Sequence, residues 1–368
     1  MKRNLIVING FTDLHSHLRE PGFSYKETIK TATMSAVAGG YTAICSMPNI
    51  NPVQDSEENL KLQIEIIKKE AKCDVHPFMS ITKNIENDSL SDFRNVFKKD
   101  PKLFVGITND GNSVENEGIM EQAFKIAAEN NILIASHCEF KKFYPNSKAE
   151  YEYLERDLKL LEKYRCKYHV QHVSCKESID LIKRAKLKGL SVTCEVTPHH
   201  LLLCEEYINY KDIENSGAFK VSPPIRSYED MKILQNSVAD GTIDAIATDH
   251  APHAEFEKNR GFELSLNGVV SLEFSFALLY TELVLKLGIL NLDKLLSLFT
   301  DGPNQVINME NRKNDLVFVD LDEKWCIEPD NFYTKGRSTP FAGKNVYGKV
   351  SSLIKDGNII FKDGGFLN

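Results

Sequence analysis

The sequence predicts an α/β protein: a closed (β/α)8 TIM barrel followed by a small β appendage. Eight short, apolar, β-branched segments alternate with longer segments of helical spacing, which is typical of βαβ units and a parallel sheet. The length of 368 residues accommodates a barrel of about 250 residues with room to spare. After about residue 310 the pattern changes to short strand-like pieces with glycine turns.

The predicted strands lie at regular intervals along the first 252 residues. They are FTDLHSH (11–17), YTAICSMP (41–48), DVHPFMSIT (74–82), LFVGIT (103–108), ILIASHCE (132–139), KYHVQHVS (167–174), SVTCEVTP (191–198) and IDAIATDHAP (243–252). Predicted helices between them include 26–38, 55–70, 115–129, 176–187 and 228–239. An open doubly wound sheet is the alternative. That fold usually carries a glycine-rich turn after its first strand, and this sequence has none there.

We expect two domains, a barrel at 10–310 and a β appendage at 311–368. The appendage contains the strand-like pieces NDLVFVDL, NVYGKVSSLIKDG and NIIFKDG. The chain starts almost at the first predicted barrel strand. Residues 1–9 are available to join it.

Composition excludes several classes of protein. Apolar residues make up 42% and charged residues 26%, which argues against disorder. We find neither a long uncharged apolar stretch nor a secretory signal, so a cytoplasmic protein without a membrane partner is expected. A net charge of −7 disfavours a nucleic-acid partner but permits an anionic substrate held by one buried Arg. The eight cysteines are scattered without a CxxC pair, which predicts reduced thiols that mostly fill the core.

Metal-ligand residues occur at the carboxyl ends of the predicted strands. His15 and His17 end the first strand, and residues two apart on a strand point to the same side. Strands four, five, six and eight lead to Asp110, His137, His172 and Asp249. Barrel active sites form at this face, and four His with two Asp suit Zn²⁺. Six ligands also allow two metals that share one bridging ligand. The remaining strand and rim histidines are expected to be structural: His76, His169, His199 and His200.

Seven segments carry a family resemblance: DLHSHLREPG (13–22), SMPN (46–49), NDGNSV (109–114), SHCE (136–139), HVSCKES (172–178), CEVTPHHL (194–201) and ATDHAPH (247–253). The stretch TKGRSTPFAGKNVYGKV (334–350) adds to them. Together they resemble the bacterial class I dihydroorotases of the amidohydrolase superfamily, from about residue 10 to 365. The resemblance implies a zinc-dependent cyclic amidase. Its reaction is the reversible cyclisation of N-carbamoyl-L-aspartate to (S)-dihydroorotate plus water in pyrimidine (UMP) biosynthesis.

The resemblance also implies a role for each metal-ligand residue. His15, His17 and Asp249 hold a first zinc, and His137 and His172 hold a second metal where both are present. Asp110 bridges the two. Asp249 is in addition the catalytic proton shuttle between the attacking water and the leaving amide nitrogen. Other amidohydrolases use a carboxylated lysine as the bridge, which leaves Lys102 as an alternative; we prefer Asp110, because Lys102 precedes the strand at the wrong end of the barrel.

Arg19 and Asn49 are expected to select the substrate. A guanidinium can grip the ring carboxylate of dihydroorotate through two parallel hydrogen bonds. Arg19 lies two residues beyond His17 and shares its face, and His17 and His253 complete the substrate pocket by resemblance. In three places the sequence departs from the family pattern. The N-terminal segment that usually forms half of the small β domain is short here, so that half of the appendage is expected to be reduced. Ser222 stands in KVSPP where an Asn is usual, and Asn267 and Gly268 replace the usual Phe-Gly pair.

Two competing functions remain. One is another cyclic amidase, an allantoinase or dihydropyrimidinase, although a neutral ring gives Arg19 no counter-charge. The other is a non-catalytic scaffold for aspartate carbamoyltransferase, although all six metal-ligand residues are retained. The resemblance further implies a homodimer or association with aspartate carbamoyltransferase. The loops 212–227 and 253–267 are both candidates for a lid.

Overall fold

A parallel eight-stranded sheet forms the centre of the computed structural model, which describes residues 4–367. Its strands pair in chain order: β2 (Phe11–Ser16), β3 (Tyr41–Ser46), β4 (Asp74–Met79), β5 (Gly106–Ile107), β6 (Leu133–Ser136), β7 (Lys167–Val170), β8 (Val192–Val196) and β9 (Ala245–Ile246). Each lies within a predicted strand. Ser16 forms a parallel bridge with His250, and the His17 amide donates to the His250 carbonyl at 2.8 Å. The sheet therefore closes, and the open doubly wound alternative is wrong.

Helices connect the barrel strands, and most of the longer ones match predicted segments. They are α1 (Ile29–Ala38), α2 (Glu57–Glu70), α3 (Phe93–Lys99), α4 (Glu117–Asn130), α5 (Lys148–Tyr164), α6 (Lys176–Leu187), α7 (Pro198–Leu202), α8 (Tyr228–Ala239), α9 (Glu255–Lys258), α10 (Gly261–Leu264), α11 (Ser275–Leu279), α12 (Leu292–Phe299) and α13 (Asp301–Val306). A π-helical segment, Tyr280–Lys286, continues α11. Side-chain oxygens accept from backbone amides at several helix starts, as Ser56 does for α2 and Ser227 for α8.

A second sheet of five antiparallel strands packs beside the barrel. Its order is β1 (Leu5–Asn9), β10 (Leu316–Cys326), β11 (Asn345–Lys355), β12 (Asn358–Lys362) and β13 (Gly365–Phe366). The segment before the barrel therefore joins the C-terminal strands in this sheet. The barrel with its C-terminal sheet confirms the predicted fold class. The domain boundaries stay a prediction, and residues 1–3 and 368, which they include, lie outside the described residues.

An aromatic cluster fills the end of the barrel opposite the predicted site. Phe11 and Tyr41 begin their strands, and Phe11 packs against Phe276 and Phe299 with ring centroids 5.2 Å apart. All four rings are buried. Packing at the N-terminal face of a barrel serves stability and leaves the C-terminal face for chemistry.

The eight cysteines are all unpaired, and seven of them are buried. This matches the expectation that they act mainly as small apolar residues in the core. Within residues 4–367, no helix combines the length and the apolar character needed to cross a lipid bilayer.

Candidate active site

The ends of five barrel strands bring the six predicted metal-ligand residues into one buried cluster. His15 lies within β2 and His17 just beyond it. The others follow β5, β6, β7 and β9 within three residues: Asp110, His137, His172 and Asp249. Each is less than 10% exposed. The parallel sheet thus places side chains more than 230 residues apart in sequence at one point in space.

Asp110 lies at the centre of this cluster. Its Oδ1 is 3.4 Å from His15 Nε2, His137 Nδ1 and His172 Nε2, and its Oδ2 is 3.3 Å from His17 Nε2. The ligand atoms form two adjoining groups, one with His15 and His17 and one with His137 and His172, and Asp110 belongs to both. This is the arrangement that a bridging carboxylate between two metals requires.

The donor set fits zinc. Ligand atoms about 2.0–2.1 Å from a tetrahedral zinc lie about 3.3–3.4 Å from one another. The contacts of Asp110 have that spacing, and Asp249 Oδ1 is 3.1 Å from His17 Nε2 and 3.6 Å from His15 Nε2. His15 Nε2 is also buried without a hydrogen-bond partner among the described residues. A buried imidazole nitrogen that faces two carboxylates and lacks a partner is suited to coordinate a cation.

Charge coupling within the cluster shifts its pKa values in opposite directions. Burial disfavours the charged imidazole of His15, but the carboxylates of Asp110 and Asp249 outweigh it and raise its pKa well above the ordinary value. In the same way Asp110 and Glu139 outweigh burial and raise the pKa of His137 to about 10. Burial is likewise outweighed by the neighbouring imidazoles, which hold the pKa values of Asp110 and Asp249 below the ordinary value. Any metal that binds must displace these protons, so metal affinity falls as the pH is lowered.

Glu195 orients the first histidine, and sequence reasoning did not include it. Its carboxylate, on β8, accepts from His15 Nδ1 at 2.8 Å and from His169 Nε2 at 3.1 Å. A proton on Nδ1 leaves the Nε2 lone pair of His15 free for a metal, as such carboxylate partners do in metalloproteins. His169, predicted to be structural, holds this carboxylate from the other side. The signal in the sequence was an acidic residue inside an otherwise apolar strand.

Three residues of the site have left-handed backbone angles. The φ values are +61° for Arg19, +30° for His172 and +43° for Asp249. Such angles cost roughly 1–3 kcal/mol each in a residue other than glycine and tend to occur at active sites. The packing of the barrel around these three residues maintains the strained angles and so fixes the direction of each side chain.

A cavity of about 630 Å³ opens at the cluster of metal-ligand residues, and the residues predicted to bind the substrate line it. Arg19 Nε donates to the Pro252 carbonyl at 3.2 Å, which fixes the guanidinium at the rim. Asn49 Oδ1 accepts from His17 Nδ1 at 3.0 Å, so Asn49 also orients a metal-ligand residue. His253 Nε2 is 2.8 Å from the Asn267 carbonyl. Arg19, Asn49 and His253 therefore all line one cavity, and Arg19 and His253 are in contact there.

Other charged residues line the cavity without having been predicted. Glu139 lies 3.8 Å from His137 Nε2 and accepts from Ser222 Oγ at 3.0 Å. Ser222, at the position where the family usually has Asn, therefore contacts a carboxylate that faces a metal-ligand residue. Lys141 and Lys220 also line the cavity and add positive charge for an anionic ligand.

Hydrogen bonds connect the two candidate lid loops. The buried ammonium of Lys258, on α9, donates to the Lys220 carbonyl at 3.2 Å and to the Leu266 carbonyl at 2.8 Å. The Gly268 amide also donates to the Lys220 carbonyl, at 2.9 Å. This network joins the loops 212–227 and 253–267 into one wall of the cavity.

Lys102 and three of the four histidines predicted to be structural lie outside the cluster of six metal-ligand residues. Lys102 is exposed and precedes β5, away from the C-terminal ends of the strands. His76 is on β4. His199 and His200 are buried on α7, where His200 Nδ1 accepts from the Thr197 hydroxyl at 2.8 Å.

Comparison with known proteins gives one family. A family model described as Dihydro-orotase-like matches residues 4–178. The dihydroorotase of Fusobacterium nucleatum is 39% identical over all of this chain and 90% of its own length. The dihydroorotase of Listeria monocytogenes serovar 1/2a is 41% identical over 98% of this chain and 88% of its own length.

Solved structures with the same fold include other cyclic amidases. The L-hydantoinase (dihydropyrimidinase) from Arthrobacter aurescens has a TM-score of 0.89 at 23% identity and covers 99% of this chain and 87% of its own. An inactive dihydroorotase-like domain from Chaetomium thermophilum has a TM-score of 0.73 at 20% identity and covers 99% of this chain and 97% of its own. At these identities the likeness extends to the fold alone.

Proposed function

The chain belongs to the dihydroorotase family, and we propose how its own residues perform the reaction of that family. It is a dihydroorotase, which interconverts N-carbamoyl-L-aspartate and (S)-dihydroorotate plus water in pyrimidine biosynthesis. Identity of about 40% over nearly the full chain supports this conclusion. The observation that carries the mechanism is the position of Arg19 at the rim of a His/Asp cluster, inside one cavity.

We assign zinc to the cluster, one or two ions per chain. His15, His17 and Asp249 would hold the first ion, His137 and His172 the second, and Asp110 both. The spacing of the donor atoms and the fixed Nδ1 proton of His15 support this assignment. Zinc held there lowers the pKa of a coordinated water toward about 7 and so supplies a nucleophile at neutral pH.

Asp249 moves the proton in both directions. The neighbouring imidazoles hold its pKa below the ordinary value, so its carboxylate is ionised at neutral pH. An ionised carboxylate has the lone pair needed to accept a proton from the attacking water. As the C–N bond of the ring amide breaks, Asp249 donates that proton to the departing nitrogen. Ring closure uses the same group in reverse: as the nitrogen–carbon bond forms, Asp249 takes a proton from the ureido nitrogen and gives it to the departing hydroxyl of the carboxyl group, which leaves as water.

Arg19 is the group that binds the substrate carboxylate. The rest of that pocket is formed by His17, Asn49 and His253. Burial lowers the pKa of Arg19, but an arginine remains charged at neutral pH, so the pocket presents a desolvated cation. A partly buried guanidinium whose donors lack a carboxylate in direct contact is costly, which selects for a ring that carries a carboxylate.

Zinc reconstitution tests this assignment. The purified chain is stripped with a chelator, zinc is added back stepwise, and ring opening of dihydroorotate is followed together with zinc content on the same sample. We expect activity to rise with zinc and to level off at one or two equivalents. Activity that survives complete metal removal, or full zinc loading without turnover, contradicts the proposal.

Two variants decide which residue bridges the metals. Asp110→Asn should lower both zinc capacity and turnover, because it removes the carboxylate shared by the two groups. Lys102→Ala is the control and should change neither.

Two further points remain proposals that need separate measurements. One is the division into domains at 10–310 and 311–368, and the other is a homodimer or a complex with aspartate carbamoyltransferase.

A further inference from the structure

A lysine outside the predicted site contacts the ring of His253. Lys26 Nζ lies 3.2 Å from His253 Nδ1 and 3.0 Å from Glu257 Oε1, and its side chain is only 12% exposed. Lys26 is in the loop between β2 and α1, and Glu257 is on α9. The contact therefore joins two loops of the cavity rim directly behind Arg19.

The contact determines which ring nitrogen of His253 carries the proton. A lysine ammonium only donates, so Nδ1 must accept and Nε2 must carry the hydrogen. The contact of Nε2 with the Asn267 carbonyl at 2.8 Å agrees, since a carbonyl only accepts. Burial, together with the charges of Arg19 and Lys26, lowers the pKa of His253 to about 2. The ring is thus neutral at working pH and has a single N–H.

We propose that Lys26 is a positioning residue, which holds His253 in the Nε2–H form and so keeps the Arg19 guanidinium available for the substrate carboxylate. Arg19 Nη2 lies 3.4 Å from His253 Nε2. With hydrogens on both atoms, neither can accept from the other. A bare Nε2 would instead accept a hydrogen from Arg19 and present its lone pair to the carboxylate. The proposal rests on the proposed function for the identity of that carboxylate.

The surroundings of the ring show what the loss of Lys26 would do. The charged groups that face His253 are Arg19 near Nε2, Lys26 and Glu257 near Nδ1, and Lys258 at longer range. Glu257 Oε2 is 3.5 Å from Nδ1. Without the ammonium, this carboxylate attracts the ring proton to Nδ1, while the Asn267 carbonyl at 2.8 Å still attracts it to Nε2. The Nε2–H form is then no longer fixed, and a share of the rings has a bare Nε2.

Steady-state kinetics of three variants test the proposal. Lys26→Met keeps the side-chain length and removes the ammonium. It should raise KM for dihydroorotate about tenfold at about pH 8, with kcat nearly unchanged, as for loss of one hydrogen bond to a charged group. Lys26→Arg should restore KM, and Lys30→Met, which removes a charge from an exposed position on α1, should leave KM unchanged.

The ring nitrogens of His253 give a readout that does not depend on turnover. In ¹⁵N-labelled protein, the nitrogen shifts should show Nε2–H alone in the wild type and a measurable share of Nδ1–H in Lys26→Met, with His253→Asn used to assign the signals. An Nδ1–H ring in the wild type, or an unchanged KM in Lys26→Met, overturns the proposal. If the wild type does not open dihydroorotate, the proposed function fails, while the nitrogen shifts still decide the role of Lys26.

Discussion

Replacing Arg19 with lysine tests how the substrate carboxylate is recognised. Lysine keeps the charge and has the same Cβ, so the strain of the +61° φ angle is equal in both proteins. The change removes the planar fork, which can donate two parallel hydrogen bonds, and the Nε–H that donates to the Pro252 carbonyl at 3.2 Å. The variant therefore isolates geometry from charge.

The size of the effect follows from the hydrogen bond lost. A hydrogen bond to a charged group contributes about 1.5–3 kcal/mol, so the loss of one should raise KM about 10- to 150-fold. Because the lost contact binds substrate and transition state alike, kcat should change little. Initial rates of dihydroorotate hydrolysis over a range of concentrations separate the two constants.

A matched control keeps this test specific. Arg94→Lys makes the same exchange at a half-exposed arginine that pairs with Glu129 at 3.9 Å, and should leave both constants unchanged. An unaltered KM for Arg19→Lys would refute the reasoning and place the carboxylate elsewhere in the cavity. A fall in kcat with constant KM would also contradict it, since Arg19 would then act in the chemical step.

Three further predictions concern the proton shuttle, the metal-ligand cluster and the pH dependence of stability. Asp249→Asn should lower kcat about 10²- to 10⁴-fold while zinc analysis shows part of the metal retained; unchanged turnover refutes the shuttle. Glu195→Gln should weaken zinc binding about 10- to 100-fold in a chelator competition, because glutamine has no negative charge and only one acceptor oxygen for the two donors His15 and His169; equal affinity contradicts that role. Burial raises the pKa of Glu273 to about 7, so its contribution to stability is complete below about pH 4.5 and is lost as the pH rises through 7. In urea unfolding, the free energy of unfolding of the wild type should fall by about 3 kcal/mol more over this pH range than that of Glu273→Gln. An identical pH profile in both proteins would refute this prediction.

The positions of the barrel strands could be predicted because the signal is local. Even β5 and β9, with two paired residues each, lie in apolar segments that the alternating pattern identifies. All strands of a closed parallel sheet run in the same direction, so their carboxyl ends lie together at one face of the barrel. Convergence of the six metal-ligand residues could therefore be predicted without knowledge of any long-range contact. The helical region after β9, from Ser275 to Val306, was not assigned, because it consists of three helices and a π-helical turn of only five to eight residues each, which are too short for a period to repeat over several turns.

The residues that orient the site could not be predicted in this way. Glu195 is 180 positions from His15, and Lys26 is 227 positions from His253. Neither pair has a spacing that places its members together, and an isolated acidic or basic residue is usually explained by a solvated surface. Only the packed structure shows that these groups are buried and in contact.

The most direct test of the central claim is a comparison of two rings that differ by one carboxylate. Hydrolysis of dihydroorotate and of dihydrouracil is measured with the same zinc-loaded protein. Because the neutral ring offers no carboxylate to the donors of the partly buried Arg19, kcat/KM for dihydroorotate should be higher by about 10⁴-fold. Equal or faster hydrolysis of dihydrouracil would contradict the account and indicate a cyclic amidase for neutral rings.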